Sequence, residues 1–168
     1  MKQPVPYEDA VDLLDADHKA VKKMFIDFNA LCEDDASPED KQQIAQKICD
    51  ALTLHARIEE EIFYPAVREA IADDALMDEA VEEHAEAKAA IAQIQEMDPA
   101  DAAYDNTVKA LAKLIDAHVL EEREQIFLKA REAPLDLRGM AVQLYERKKQ
   151  LDKKPKPPVP AHTRKVPA

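Results

Sequence analysis

His55-Ala56-Arg57-Ile58-Glu59-Glu60-Glu61-Ile62-Phe63-Tyr64-Pro65 places an imidazole and a carboxylate four residues apart. On a helix that spacing puts both on one face, one turn above the other. About 63 residues later the chain repeats the arrangement as His118-Val119-Leu120-Glu121-Glu122-Arg123-Glu124-Gln125-Ile126-Phe127. Under the same offset Glu61 falls on Glu124, and Arg68-Glu69-Ala70 falls on Arg131-Glu132-Ala133. Two more histidines, His18 and His84, each precede a copy by about 35 residues. Four histidines and two carboxylates in this order predict a metal site inside a helical bundle.

Composition agrees. A single glycine in 168 residues, with abundant Ala, Glu, Lys and Leu, predicts an almost wholly helical fold. The length suits one domain with its own core. A net charge of -12 sets the body of the protein against nucleic acid as a partner. Cys32 and Cys49, placed along neighbouring helices, are too far apart to be bridged, so free thiols and a cytoplasmic setting are expected. The first residues hold no apolar signal core, and no apolar run nears the length of a membrane span.

The expected fold is all-α: an antiparallel up-down four-helix bundle over residues 1–133, an additional C-terminal helix over 134–152, and a disordered basic, Pro-rich tail over 153–168. Helix one starts near Tyr7 and carries the stripe Val11, Leu14, His18, Val21, Phe25, Phe28. Ser37-Pro38-Glu39 starts helix two as cap, first-turn proline and acidic residue. Its stripe is Ile44, Ile48, Ala51, His55, Ile58, Ile62, continuing with a kink through Pro65 towards Ala70. Helix three runs from about Asp74 to Met97 through Ala80, His84, Ala87, Ile91 and Ile94. Asp98-Pro99 is expected to start helix four, with Tyr104, Val108, Leu111, Ile115, His118, Glu122 and Gln125 along its seam. Counted outward from turns near residues 35, 72 and 99, the four histidines reach one height within roughly two helical turns.

Any one inward histidine has a plain structural reading, satisfied by a backbone carbonyl or a buried acid. Four at one level are different. Burying them with two carboxylates costs several kcal/mol unless charge is compensated, and imidazole with carboxylate suits iron, manganese or zinc. Glu60, Glu61, Glu82, Glu83, Glu121 and Glu124 are expected on a solvated face, with orienting the imidazoles from behind as the alternative. Tyr64 and Tyr104 are expected in the core or beside the ligands, since regular helical spacing takes them off the histidine level and face.

Ferritin-type sites need Glu-x-x-His twice, whereas the residues three before the histidines are Asp15, Leu52, Val81 and Ile115. The paired His-x-x-x-Glu, with Asp17-His18, Tyr64-Pro65 and Glu83-His84, resembles the hemerythrin-like family, or HHE cation-binding domain, over about residues 9 to 130. That resemblance implies His18, His55, His84 and His118 as terminal ligands and Glu59 and Glu122 as bridges between two iron ions, with an oxo or hydroxo group as third bridge. It implies a non-haem di-iron protein that binds or reduces a small oxidant: dioxygen, peroxide or nitric oxide. The rival reading is an iron or oxygen sensor, or an iron-handling protein, without turnover. Either is expected as a monomer or weak homodimer with no membrane partner. Oxygen carriers of the family have a further histidine where this chain has Lys88, and usually an aspartate where it has Arg123, so Glu122 must take that role.

Overall fold

The computed structural model describes residues 5–152. Helix α1 is Ala10–Glu33, its first turn capped by Asp9, whose carboxylate accepts from the Asp12 N–H at 2.9 Å. Helix α2 begins at Pro38 with Ser37 as its cap, as the sequence predicts. It runs as Pro38–Ile58, passes through a π-helical turn at Glu59–Phe63, and continues as Tyr64–Ile71. Helix α3 is Asp74–Glu96. Helix α4 repeats the construction of α2, with Tyr104–Glu121, a π-helical turn at Glu122–Ile126, and Phe127–Glu132. Helix α5, Leu137–Asp152, packs against α1 and α2 from outside the four-helix body. The segment 153–168, including His162, lies outside the described residues.

Two local expectations are corrected. Asp98-Pro99 does not start α4; the helix begins five residues later, at Tyr104. Asp98 and Asp101 spend their carboxylates on the N–H groups of Ala100 and Ala103, at 2.9 and 2.8 Å. Short acidic side chains that bond two residues ahead favour turns over helix. The second correction concerns the stripes. Ile62 is only half-buried and Gln125 is exposed, while Phe63, Tyr64, Ile126 and Phe127 are buried. Each π turn inserts one residue into the helical count, so the apolar stripe jumps by five where regular spacing would give four.

The four long helices do not share one continuous core. One apolar cluster joins the start of α1, the ends of α2 and α4, the start of α3, and Met140 and Leu144 of α5. The other joins the end of α1, the start of α2, the end of α3 and the start of α4. Only antiparallel neighbours give that alternation of starts and ends. On every helix the gap between the two clusters falls at the histidine: between Leu14 and Val21, Leu52 and Ile58, Ala80 and Ile91, Leu111 and Ile126. A polar layer thus crosses the bundle where an apolar one would pack. Such a layer is expensive unless its charges are matched.

Candidate metal centre

All six residues singled out from the sequence meet in that layer. His18, His55, Glu59 and Glu122 offer ligand atoms that all lie within 4.8 Å of one another, and Glu59, His84 and His118 form a second such group. The side chains of Glu59 and Glu122 are 0% exposed, and those of the four histidines 7–8%. Glu59 serves both groups: its Oε1 is 3.2 Å from the Nε2 of His55 and 3.2 Å from the Nε2 of His84. Glu122 spans them with two oxygens, Oε1 at 3.0 Å from His18 Nε2 and Oε2 at 3.5 Å from His118 Nε2.

Several of these close pairs are not hydrogen bonds. His18 Nε2, His55 Nε2, both oxygens of Glu59 and Oε1 of Glu122 are buried without a hydrogen-bond partner, although carboxylate and imidazole sit about 3 Å apart. Native interiors rarely strand polar atoms in this way. Their lone pairs converge on shared space rather than on each other, which fits the donor set of a divalent cation pair.

Carboxylates behind the rings fix which nitrogen is available. His55 Nδ1 donates to Asp17 at 2.9 Å, His84 Nδ1 to Glu60 at 2.7 Å, and His118 Nδ1 to Glu83 at 2.7 Å. An ionised carboxylate only accepts, so each of these Nδ1 atoms carries the proton and leaves Nε2 free to ligate. Glu60 and Glu83 therefore leave the solvated face to which the sequence assigns them. Glu61 stays outside and pairs with Arg57 and Arg147, each at 2.7 Å. The arrangement follows the internal repeat: Asp17 precedes His18 and serves His55, while Glu83 precedes His84 and serves His118. It breaks at one place. Glu60 follows Glu59, but the matching position after Glu122 is Arg123, which pairs with Asp15 at 3.3 Å. His18 Nδ1 is consequently 3.6 Å from Asp15, too far for a hydrogen bond, and the ring is held instead by stacking on Phe127, 5.7 Å away at 14°.

Tyr64 is the functional candidate that regular helical spacing misses. At about 100° per residue, five residues past Glu59 would point it some 140° away. The π turn, closed by the Tyr64 N–H on the Glu59 carbonyl, brings it back over the site. Its hydroxyl donates to Glu122 Oε2 and lies 3.1 Å from His84 Nε2 and 3.2 Å from His118 Nε2. In the other half the equivalent residue is Phe127. The two ligand groups are therefore chemically unlike. The sequence holds one clue, the five-residue step from Ile58 to Phe63 and from Glu122 to Phe127. Tyr104, by contrast, packs against Phe28 deep in the second cluster, as expected of a core residue.

Electrostatics match a site built for positive charge. Burial alone would push the His55 imidazole down, but Glu59 and Asp17 outweigh it and hold it well above its ordinary value. Burial likewise lowers His118, against which Glu122, Glu59 and Glu83 raise it to about 9. Burial pushes Glu122 up, yet His118 and His18 keep it well below the usual carboxylate range. Tyr64 is raised well above its ordinary value by burial and by Glu122 and Glu59, so its phenol keeps its proton in the metal-free chain. In the metal-free chain a second proton on His55 and on His118 offsets carboxylate charge that a bound metal would otherwise offset.

Beside the histidines lies a cavity of about 40 Å³. The four imidazoles line it together with Leu52, Ala87, Ile91, Leu114, Ile115 and Val119. Lys88 also borders it, but its side chain is 56% exposed and its Nζ binds Glu60 Oε1 at 2.7 Å. The ammonium is thus engaged at the surface rather than turned towards the imidazoles.

A helical bundle that gathers four imidazoles and two shared carboxylates into one buried layer belongs to the class of metal-binding helical bundles. Residues 9–130 match the family described as hemerythrin HHE cation binding domain. The chain belongs to that family. A solved structure of a hemerythrin HHE cation binding domain-containing protein from Mycobacterium kansasii superposes with a TM-score of 0.72 at 19% identity, covering 84% of this chain and 86% of that one; at that identity the likeness concerns the fold. A DNA nickase of Nostoc sp. is 28% identical over 116 residues, which cover 69% of this chain but only 32% of the nickase.

Proposed function

We propose that the protein holds two iron ions, one between His18 and His55 and the other between His84 and His118, with Glu59 and Glu122 bridging them. The observation that carries this is the buried set left without a partner, His18 Nε2, His55 Nε2, both Glu59 oxygens and Glu122 Oε1, with His84 Nε2 and His118 Nε2 gathered beside Glu59 and the Tyr64 hydroxyl. An oxo or hydroxo group is the third bridge that family resemblance implies. When bound, the pair supplies a centre that exchanges electrons with a small oxidant.

The chain's own residues define the rest. Asp17, Glu60 and Glu83 orient the imidazoles, and the apolar walls of the cavity keep bulk water from the layer. A space of about 40 Å³ has room for a molecule the size of dioxygen, nitric oxide or peroxide. Dioxygen or peroxide reduction fits better than reversible carriage, because Lys88 stands where the oxygen carriers have a histidine and its ammonium is engaged with Glu60. A sensing role without turnover rests on a separate observation: α5 reaches the site through Lys148, 2.5 Å from Asp17. Nicking DNA is not carried over, since most of the nickase is unmatched and a net charge of -12 opposes a polyanion. No described helix is long and apolar enough to cross a membrane; the free thiols of Cys32 and Cys49 are the ground on which we place the protein in the cytoplasm.

Rapid mixing of reduced, iron-loaded protein with air-saturated buffer, followed by evacuation, tests the redox reading. The iron is expected to oxidise and to stay oxidised under vacuum, and Lys88→His to slow that loss. Return of the reduced spectrum under vacuum in the unmodified protein would instead make it a carrier. With an added electron donor such as dithionite to re-reduce the iron, consumption of many peroxide equivalents per protein separates turnover from sensing, which would stop at the one equivalent that two ferrous ions can reduce.

A further inference from the structure

The carboxylates that orient the imidazoles differ in what stands behind them. Glu60 is backed by Lys88 of α3, one of the four bundle helices, at 2.7 Å. Glu83 faces other acids, Glu79 and Glu121. Asp17 is backed by a residue from outside the four-helix body. Lys148 of α5 brings its Nζ to 2.5 Å from Asp17 Oδ1, while Asp17 Oδ2 accepts from His55 Nδ1 at 2.9 Å. The residue Asp17 is 9% exposed, so its two oxygens have little water to turn to. Met140, Ala141 and Leu144, at 7%, 1% and 0% exposure, seat α5 firmly enough to hold Lys148 in place.

We propose that Lys148 is a positioning residue of the metal centre: from the accessory helix it holds Asp17, and through Asp17 it fixes the imidazole of His55. The inference rests on the metal-pair reading above and adds α5 to the machinery of one position only. Among the described residues, the carboxylate behind His55 is the sole anchor of a ring nitrogen at that position, because His18 Nδ1 has none there. The opposite position has two anchored rings, through Glu60 and Glu83, and the Tyr64 phenol besides. Loss of Lys148 therefore falls on the weaker half.

Anaerobic titration with ferrous iron against a chromophoric chelator reads the two binding steps separately. Lys148→Met is expected to leave the first ion unchanged and to weaken the second about fivefold. This is less than the roughly 10–100-fold cost of losing a direct partner of a ligand, since Lys148 acts one step further out and its side chain is 32% exposed. Lys148→Arg restores most of the affinity. Arg147→Met is the control for docking of α5, because Arg147 ties the same helix to Glu61, at 2.7 and 3.3 Å, with no link to a ligand. It should bind both ions normally. Equal second-step affinity in Lys148→Met and the unmodified protein overturns the proposal, as does an equal loss in Arg147→Met. Uptake of fewer than two ions by the unmodified protein instead overturns the metal-pair reading on which it rests.

Discussion

Replacing Glu59 or Glu122 by alanine is expected to empty both metal positions rather than one. Each carboxylate touches ligands of both groups: Glu59 through one oxygen equidistant from His55 and His84, Glu122 through an oxygen on each side. Removal of an outer partner of a ligand costs roughly 10–100-fold in affinity, and a carboxylate shared by both ions should cost more than about 100-fold. The metal-free fold should suffer as well. Both side chains are 0% exposed and offset the charge of neighbouring imidazoles. Breaking a buried charge pair by removing one partner typically costs about 3–5 kcal/mol. Metal content after desalting, together with thermal unfolding of the metal-free variants, checks both parts. Retention of one ion at normal affinity would contradict the shared-carboxylate account.

Tyr64→Phe is expected to act on one half only. The change converts Tyr64 into the residue its repeat partner, Phe127, already is, so packing against Phe63 and His84 is preserved. What disappears is the hydroxyl that donates to Glu122 and lies beside His84 and His118. A buried acceptor left without its donor costs about 1–3 kcal/mol. As the outer partner that orients Glu122 towards His118, the hydroxyl also supports the bound state, and loss of such a partner costs roughly 10–100-fold. On that scale the ion between His84 and His118 should bind about tenfold more weakly, while the ion at His18 and His55 changes little. Step-resolved titration should therefore show Tyr64→Phe weakening the binding step that Lys148→Met leaves intact. Equal weakening of both steps would mean that the phenol serves the layer as a whole.

Much of this centre was legible in the residues. His18, His55, His84 and His118 each occupy a core position of a periodic stripe, and short loops in an antiparallel bundle bring such positions to one height. The structure places all four in the gap between the two apolar clusters. Glu59 and Glu122 follow from the i,i+4 spacing to their histidines, because each is the first residue of its π turn and the inserted residue comes after it. Beyond those glutamates the count fails, because a regular 3.6-residue period cannot anticipate an inserted residue. Ile62 and Gln125 leave the stripe for that one reason, and Tyr64, expected in the core or beside the ligands but off the histidine face, comes over that face. Glu60 and Glu83 read first as solvated for another. A charge at the edge of a helical stripe looks solvated until the neighbouring helix is known, and their partners His84 and His118 lie 24 and 35 residues away in sequence. Lys148 is further still, 131 residues from Asp17. No local pattern marks such a contact.

The central claim is a carboxylate-bridged metal pair in one chain. Iron content per chain, measured on fully loaded protein together with its magnetic susceptibility, tests it most directly. The account predicts two irons per chain with spins coupled through the bridges. One iron per chain, or two that behave as magnetically independent ions, would contradict it.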